Sequence, residues 1–280
     1  MLDPTTPSGV DGPASGKRFA AMVNFRRLTM AAVTAIFLIY GGLLASLFYY
    51  FDGAHFLTTV ASERTLFSVG LSMAAATLAT LAALLLAIPA AYALSRYDFP
   101  GRQLVDTLLE LPLIVSPAAL GAMLLIFFTN PLGAWVQEHA MQFVFATAGV
   151  VLAQFVTIVG VAARFVKAAF DEVPPRYETA ARTLGATPSG AFFSISLPLA
   201  RNGILAASAL TWAKAMGEFG ATITLAGTMA MRTETLPIAI YMRLSTADIE
   251  GTVGLVLLLV GIGLGALFAA RLLTRRRFND

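Results

Sequence analysis

LFSVGLSMAAATLATLAALLLAIPAAYAL, residues 66–94, runs for 29 residues without one charged side chain. About 20 apolar residues in a helix cross the ~30 Å hydrocarbon layer of a bilayer, so this stretch predicts a membrane-spanning helix. It does not alternate apolar and polar residues in segments of about ten, as the strands of a membrane barrel do. Five further runs share its character: residues 28–51, 104–128, 143–166, 203–227 and 252–273. The reading is an all-α polytopic membrane protein with six transmembrane helices. Composition agrees. Of the 280 residues, 58% are apolar and 12% charged, against roughly 45–50% and 25% in soluble domains. There is no cysteine, and the only histidines are His55 and His139. Disulfides, thiol chemistry and cysteine-ligated metals are excluded, and no zinc site is expected.

Residues 1–16 are rich in Pro, Gly, Ser and Thr and read as a disordered tail. With the basic residues up to Arg27 they make a tail of 27 residues. The first run is too long for the apolar core of a signal peptide and follows a long polar stretch, so it reads as an uncleaved span. Residues 28–65 then hold that span and its outer loop, 66–273 a bundle core, and 274–280 a basic end. With the N-terminus placed in the cytoplasm, fifteen Lys and Arg fall in cytoplasmic segments. Only Arg64, Arg232 and Arg243 fall outside, and Lys214 lies within a span. That asymmetry predicts that both termini are cytoplasmic. No internal repeat is visible, which argues mildly against the inverted repeats of many secondary transporters.

The segment KAAFDEVPPRYETAARTLGATPSGAFFSISLPLARN, residues 167–202, is too polar to cross and too patterned for a plain linker. Pro174 and Pro175 suit a helix start, where the missing N–H has no intrahelical use. Tyr177 to Leu184 reads as a short helix, with Glu178 and Arg182 at a favourable i,i+4 spacing. Gly185 suits a left-handed helix end, and Pro188 follows. A second short helix is expected from Pro188 to about Ser196, with Pro198 barring simple continuation. Small residues on the first helix (Ala180, Ala181, Gly185) and large apolar ones on the second (Phe192, Phe193, Ile195) suit either of two roles. One is a loop lying on its own bundle; the other is an element that docks in a groove of another protein.

The spacing Ala180-Ala181, three residues, Gly185, nine residues, Ile195, one residue, Leu197-Pro198 resembles the "EAA" signature of membrane subunits of bacterial ABC importers. The resemblance covers residues 67–271. One position departs. The signature's Glu falls on Thr179, and the acidic residue here is Glu178, about 100° away around a helix. The resemblance implies a type I ABC importer transmembrane fold in the bacterial inner membrane. It implies coupling helices built from Pro174, Tyr177, Glu178, Thr179, Ala180, Ala181, Gly185, Ile195, Leu197 and Pro198. It also implies an ATP-binding partner subunit that carries ATP and magnesium, a second copy of the permease, and an external oxyanion-binding protein. Lipid surrounds such a chain, and no nucleic-acid partner is expected. The chain itself has no P-loop, since none of its three lysines has the Gly-Lys-Ser/Thr context. No cofactor and no catalytic residue are therefore expected within it.

Charges inside spans are costly and mark purpose. Lys214 and Glu218 stand four apart on the fifth run, as do Asp106 and Glu110 on the third. Each pair reads as structural or as part of a path, and Glu110, beside Pro112, suits a pairing across to another helix. Pro112, Pro117 and small residues interrupt the third run, and Gly217 and Gly220 the fifth, so these two are expected to line the path. Candidate path residues are Glu110, Ser116, Lys214, Glu218, Thr222 and Thr224. The stretch from Gly217-Glu218-Phe219-Gly220-Ala221-Thr222 to Thr235 resembles molybdate and tungstate permeases, with sulfate permeases related. It implies a tetrahedral oxyanion, molybdate first. Thr222, Thr224, Thr228, Arg232, Thr233 and Thr235 cluster there, which suits an anion only weakly. The competing readings are an ion-coupled secondary transporter working through Lys214 and Glu218, and a membrane scaffold.

Overall fold

A computed structural model describes residues 14–276, and side chains within residues 25–272. The chain divides at residue 51 into two units. The first holds helix α1 (Ala14–Leu47) and a short 3-10 turn (Phe48–Tyr50). The helix takes in residues 14–27, part of the stretch read as tail; residues 1–13 lie outside the described residues.

The second unit is built on α3 (Glu63–Arg96) and α8 (Thr147–Asp171), after a short α2 (Gly53–Ala61). Ala75 and Ala76 of α3, then Ala79, Ala83, Ala87 and Ala91 at steps of three or four residues, are all buried. That is one helical face of methyl groups. It lets α8 approach closely with Val150, Ile158, Ala162 and Val166. Small residues serve this purpose where lipid supplies no hydrophobic drive between helices. Ser62 caps α3 by accepting the Thr65 N–H.

The third predicted span is a bent pair. Helices α4 (Arg102–Leu108) and α5 (Leu111–Ile114) lead to a break at Val115–Ser116, and α6 (Pro117–Thr129) leaves at 111°. Pro117 cannot continue a hydrogen-bonded helix, and the Ser116 hydroxyl caps the new one through the Ala119 N–H. Helix α7 (Pro131–His139) follows.

The fifth predicted span is displaced. Helix α9 (Arg176–Thr183) and a short α10 (Pro188–Ala191) are followed by a π-helical turn (Phe192–Ser196) and α11 (Leu197–Met216). From Pro188 to Met216 this is one helix of 29 residues, not a short helix stopped at Pro198. The π-turn is the reason. The Leu197 N–H bonds five residues back to the Phe192 carbonyl, so the register shifts where Pro198 has no N–H to give. The helix ends at Gly217 rather than running to residue 227, and α12 (Gly220–Ala226) starts afresh. Helices α13 (Leu236–Ser245) and α14 (Ile249–Arg276) complete the fold. Among the described residues, five helices are long and apolar enough to cross a membrane, and the bent α4–α6 pair makes a sixth when counted as one span. No strand occurs among the described residues.

Candidate functional site

Helix α9 stands at the end of the bundle where α3 and α8 finish. It closes as the sequence predicts. The Gly185 N–H bonds to the Arg182 carbonyl and the Ala186 N–H to the Ala181 carbonyl, the two bonds of a Schellman cap. Gly185 has φ +95°, a left-handed conformation that suits glycine. Thr187 then caps α10 through the Gly190 N–H at 3.0 Å.

The outward face here carries large apolar side chains among exposed polar ones that include Arg176, Arg182 and Thr183. Leu184 is 90%, Phe193 66% and Tyr177 45% exposed. Thr179, Ala180 and Gly185 are exposed, and Pro174, Ala181, Ile195 and Leu197 half-buried. Phe192 turns inward, onto its own bundle. Its ring meets Tyr92 at 4.7 Å between centroids and Phe170 at 6.1 Å.

Glu178 also turns inward, toward partners that nothing in its sequence neighbourhood marks. Its carboxylate accepts from Arg96 Nε at 2.7 Å, Ser196 Oγ at 2.6 Å and Tyr92 Oη at 2.9 Å. Arg96 also donates to the Phe170 and Val173 carbonyls at 3.0 and 2.7 Å. One ion pair thus ties α9 to the ends of α3 and α8 and to the π-turn before α11. In the sequence, Arg96 is only one charge among those fixing orientation. Thr179, at the signature's Glu position, points out and donates only to the Pro175 carbonyl.

Burial pushes the Glu178 carboxyl up. The hydrogen bonds from Ser196, Arg96 and Tyr92, with the Arg96 charge, outweigh that and hold it below its ordinary value of 4.5. A carboxyl depressed on folding adds stability that is fully present above its unfolded value and lost as pH falls through the folded one. Hydrogen exchange of the α9 amides, corrected for intrinsic rates, is therefore expected to stay level from pH 8 to about 5. Below 4.5 protection should fall in the native chain. It should not fall in Glu178→Gln.

The second region is where the two broken spans meet. A Cβ on Gly220 would lie 2.8 Å from the Ala118 amide nitrogen, and one on Gly121 2.8 Å from the Ala221 Cα. Helices α6 and α12 therefore start side by side in backbone contact. The predicted Lys214–Glu218 pair does not form. Glu218 lies past the end of α11, is 5% exposed, and accepts the Ala221 N–H at 2.9 Å, capping α12. Lys214 is exposed on α11 and has no ion-pair partner among the described residues. Its neighbours Ala215 and Met216 share a core cluster with Ala79, Ala83, Ile158 and Ala162, at the middles of α3 and α8. Lys214 thus stands level with the middles of these two candidate spans. A lysine there costs about 2.5–3.5 kcal/mol on insertion scales. Its place in the last turn of α11 returns about 0.3–1 kcal/mol. Helix capping alone does not account for it.

The other path candidates divide. Ser116 is exposed at the α5–α6 break. Glu110 lies just past α4 and pairs across with Arg164 of α8. Thr224 is half-buried and donates to the Gly220 carbonyl. Thr222 is fully buried, as are Thr233 and Thr235. These three threonines line the chain's own interior, not an open face. Unforeseen in the sequence is the bidentate pair of Arg64 with buried Glu234, at 2.8 and 2.7 Å. It fastens the 227–235 loop to the start of α3.

A broken-span bundle with a two-helix segment at one end is the fold of ABC importer membrane subunits. The structure superposes on a chain of a bacterial ABC transporter involved in the import of the acidic polysaccharide alginate, with a TM-score of 0.73 and 18% identity over 92% of this chain and 99% of that one. Residues 83–279 match the family model of the binding-protein-dependent transport system inner membrane component, and the chain belongs to that family. A probable molybdenum ABC transporter permease of Haloferax volcanii is 36% identical over 87% of this chain and 88% of its own length. The molybdenum transport system permease of Escherichia coli K12 is 35% identical, over 74% and 93%. The sulfate transport system permease CysT of the same organism is 32% identical, over 66% and 68%. The chain is an ABC importer permease, a multi-pass membrane protein.

Proposed function

We propose that this permease carries a tetrahedral oxyanion, molybdate first and tungstate next, into the cytoplasm. The observation that carries the reading is the match to permeases named for molybdenum along most of both chains. The sulfate permease match, weaker and shorter, makes sulfate the second reading. Both termini lie in the cytoplasm of the bacterial inner membrane, by the distribution of Lys and Arg. ATP and magnesium are bound by a separate subunit, which seats the α9–α10 segment in a groove. Leu184, Tyr177 and Phe193 are the apolar anchors of that contact. Two copies of the permease flank the path, and an external binding protein delivers the ion. Closure of the ATP-binding subunits draws on α9, and the Glu178–Arg96 pair carries the pull to α3 and α8. The broken spans then alternate between outward and inward openings.

The test is uptake of radiolabelled molybdate into vesicles holding the full complex, with unlabelled anions competing. Tungstate is expected to compete best. Stronger competition by sulfate favours the second reading, and uptake driven by a proton gradient without ATP overturns both. Within this system Gly185→Val should be severe. The site has open space, since nothing lies within 4 Å of an added Cβ, so the strain comes from φ alone. The variant should insert and fold but retain less than about a tenth of the ATP-binding subunit, for ~1–3 kcal/mol of strain in the docked segment. Normal co-purification would remove α9–α10 as the docking element.

A further inference from the structure

We propose that the Lys214 ammonium is the anion contact of the translocation path, a shallow site for a dianionic oxyanion midway across the membrane. The inference rests on the oxyanion-importer reading above. Lys214 is exposed on α11, it has no counter-charge among the described residues, and the core cluster beside it fixes its depth at the centre of α3 and α8. A four-carbon stem reaches roughly 6 Å. Half of the ~30 Å hydrocarbon layer is about 15 Å. The ammonium therefore does not reach the interface by snorkelling, and it faces either water or a charge brought to it.

The neighbouring geometry says which face is meant. Three residues on, α11 stops at Gly217, and the break to α12 lies against the break before α6, where Gly220 meets Pro117 and Ala118. Both breaks fall in spans that turn within the membrane, and irregular backbone is tolerated at that depth where it is buried in protein or borders water. Ser116 and Gly217 are exposed at these breaks. The one acidic group of the segment, Glu218, is turned into the core and occupied by the Ala221 N–H. The positive charge is left open while the negative one is withdrawn. That arrangement admits an anion and repels a cation. With one charge and no enclosing cage, the well is shallow and release stays fast.

The chain has no native cysteine, so Lys214→Cys places the permease's only thiol at the site, and the complete, vesicle-reconstituted complex with native permease, treated with the same reagents, sets the background. Unmodified, the Lys214→Cys complex is expected to take up molybdate at least tenfold more slowly than the native complex, with the ATP-binding subunit retained. An aminoethyl thiosulfonate, which adds a disulfide-linked arm ending in an ammonium, should restore uptake to within about threefold. A methyl thiosulfonate, which adds no charge, should not. Saturating tungstate should slow modification several-fold. Equal uptake by the methyl and aminoethyl derivatives would overturn the proposal. So would a thiol at position 214 that no reagent reaches in any nucleotide state, because the position would then be sealed against a second copy or lipid. Should Lys214→Cys fail to assemble, Lys214→Arg and Lys214→Met make the same comparison: Arg active and Met inactive supports the site, and equal rates sink it. A native complex that moves no oxyanion at all would instead refute the functional reading itself.

Discussion

Arg96→Ala is expected to reduce uptake by a hundredfold or more while the chain still inserts in the membrane. The side chains of Arg96 and Glu178 are only 8% and 12% exposed. Removing one partner of such a pair leaves the other charge buried, at about 3–5 kcal/mol. Relief comes by opening the contact, which lets Glu178 reach water and detaches α9 from α3. The Phe170 and Val173 carbonyls lose their donor in the same step. The docking face of α9 would survive, but its link to the bundle would not. ATP hydrolysis should therefore continue in the assembled complex without proportionate transport. Glu178→Gln should be milder, since the amide oxygen still accepts from Ser196, the amide N–H can donate to the Tyr92 hydroxyl, and mainly the charge is lost. Reversing the pair (Arg96→Glu with Glu178→Arg) should recover only part of the activity, because the two carbonyls would then face a carboxylate. The measurements are uptake and ATP turnover on one preparation. Arg96→Ala with uptake within twofold of native would refute the link.

The spans were legible because bilayer crossing needs a long uncharged run, and that signal is local. The α9 cap was legible for the same reason: Gly185 and Pro188 act within one turn. The Glu178–Arg96 pair joins residues 82 apart, and nothing in either neighbourhood marks it. Arg64 and Glu234 are 170 apart. Lys214 and Glu218 show the limit from the other side. Their i,i+4 spacing implied one face of one helix, but the helix ends between them and the two charges part, one outward and one into the core. Thr222 was read by its hydroxyl as a path residue, while its burial depends on α12 restarting at Gly220. Sequence spacing predicts a face only as long as the element continues. Pro198 failed for a related reason: a π-turn, invisible to a 3.6-residue period, takes up the missing hydrogen bond.

Gly160→Ala is expected to disable the permease with a single methyl group. The Cβ would lie 2.3 Å from the Leu109 carbonyl oxygen, far inside any allowed contact, and the obstacle is backbone rather than a side chain that could swing away. Gly160 and Arg164 stand four apart on α8, one turn on one face. The first seats the backbone at Leu109, and the second holds Glu110 beside it by an ion pair. Together they fix the hinge between α4 and α5, ahead of the 111° bend into α6. The added methyl must push the hinge out by about an ångström or bend α8, an overpacking cost of about 1–3 kcal/mol. Displacing the hinge should shift α6 at its crossing with α12. Uptake should thus fall more than tenfold, with a lowered melting temperature by intrinsic fluorescence. Gly70→Ala in α3 is the control. Nothing lies within 4 Å of its Cβ, and alanine is the better helix former by about 1 kcal/mol. It should melt at the native temperature or above and transport normally. A Gly160→Ala variant that matches Gly70→Ala in both measurements would show that α8 does not hold the hinge.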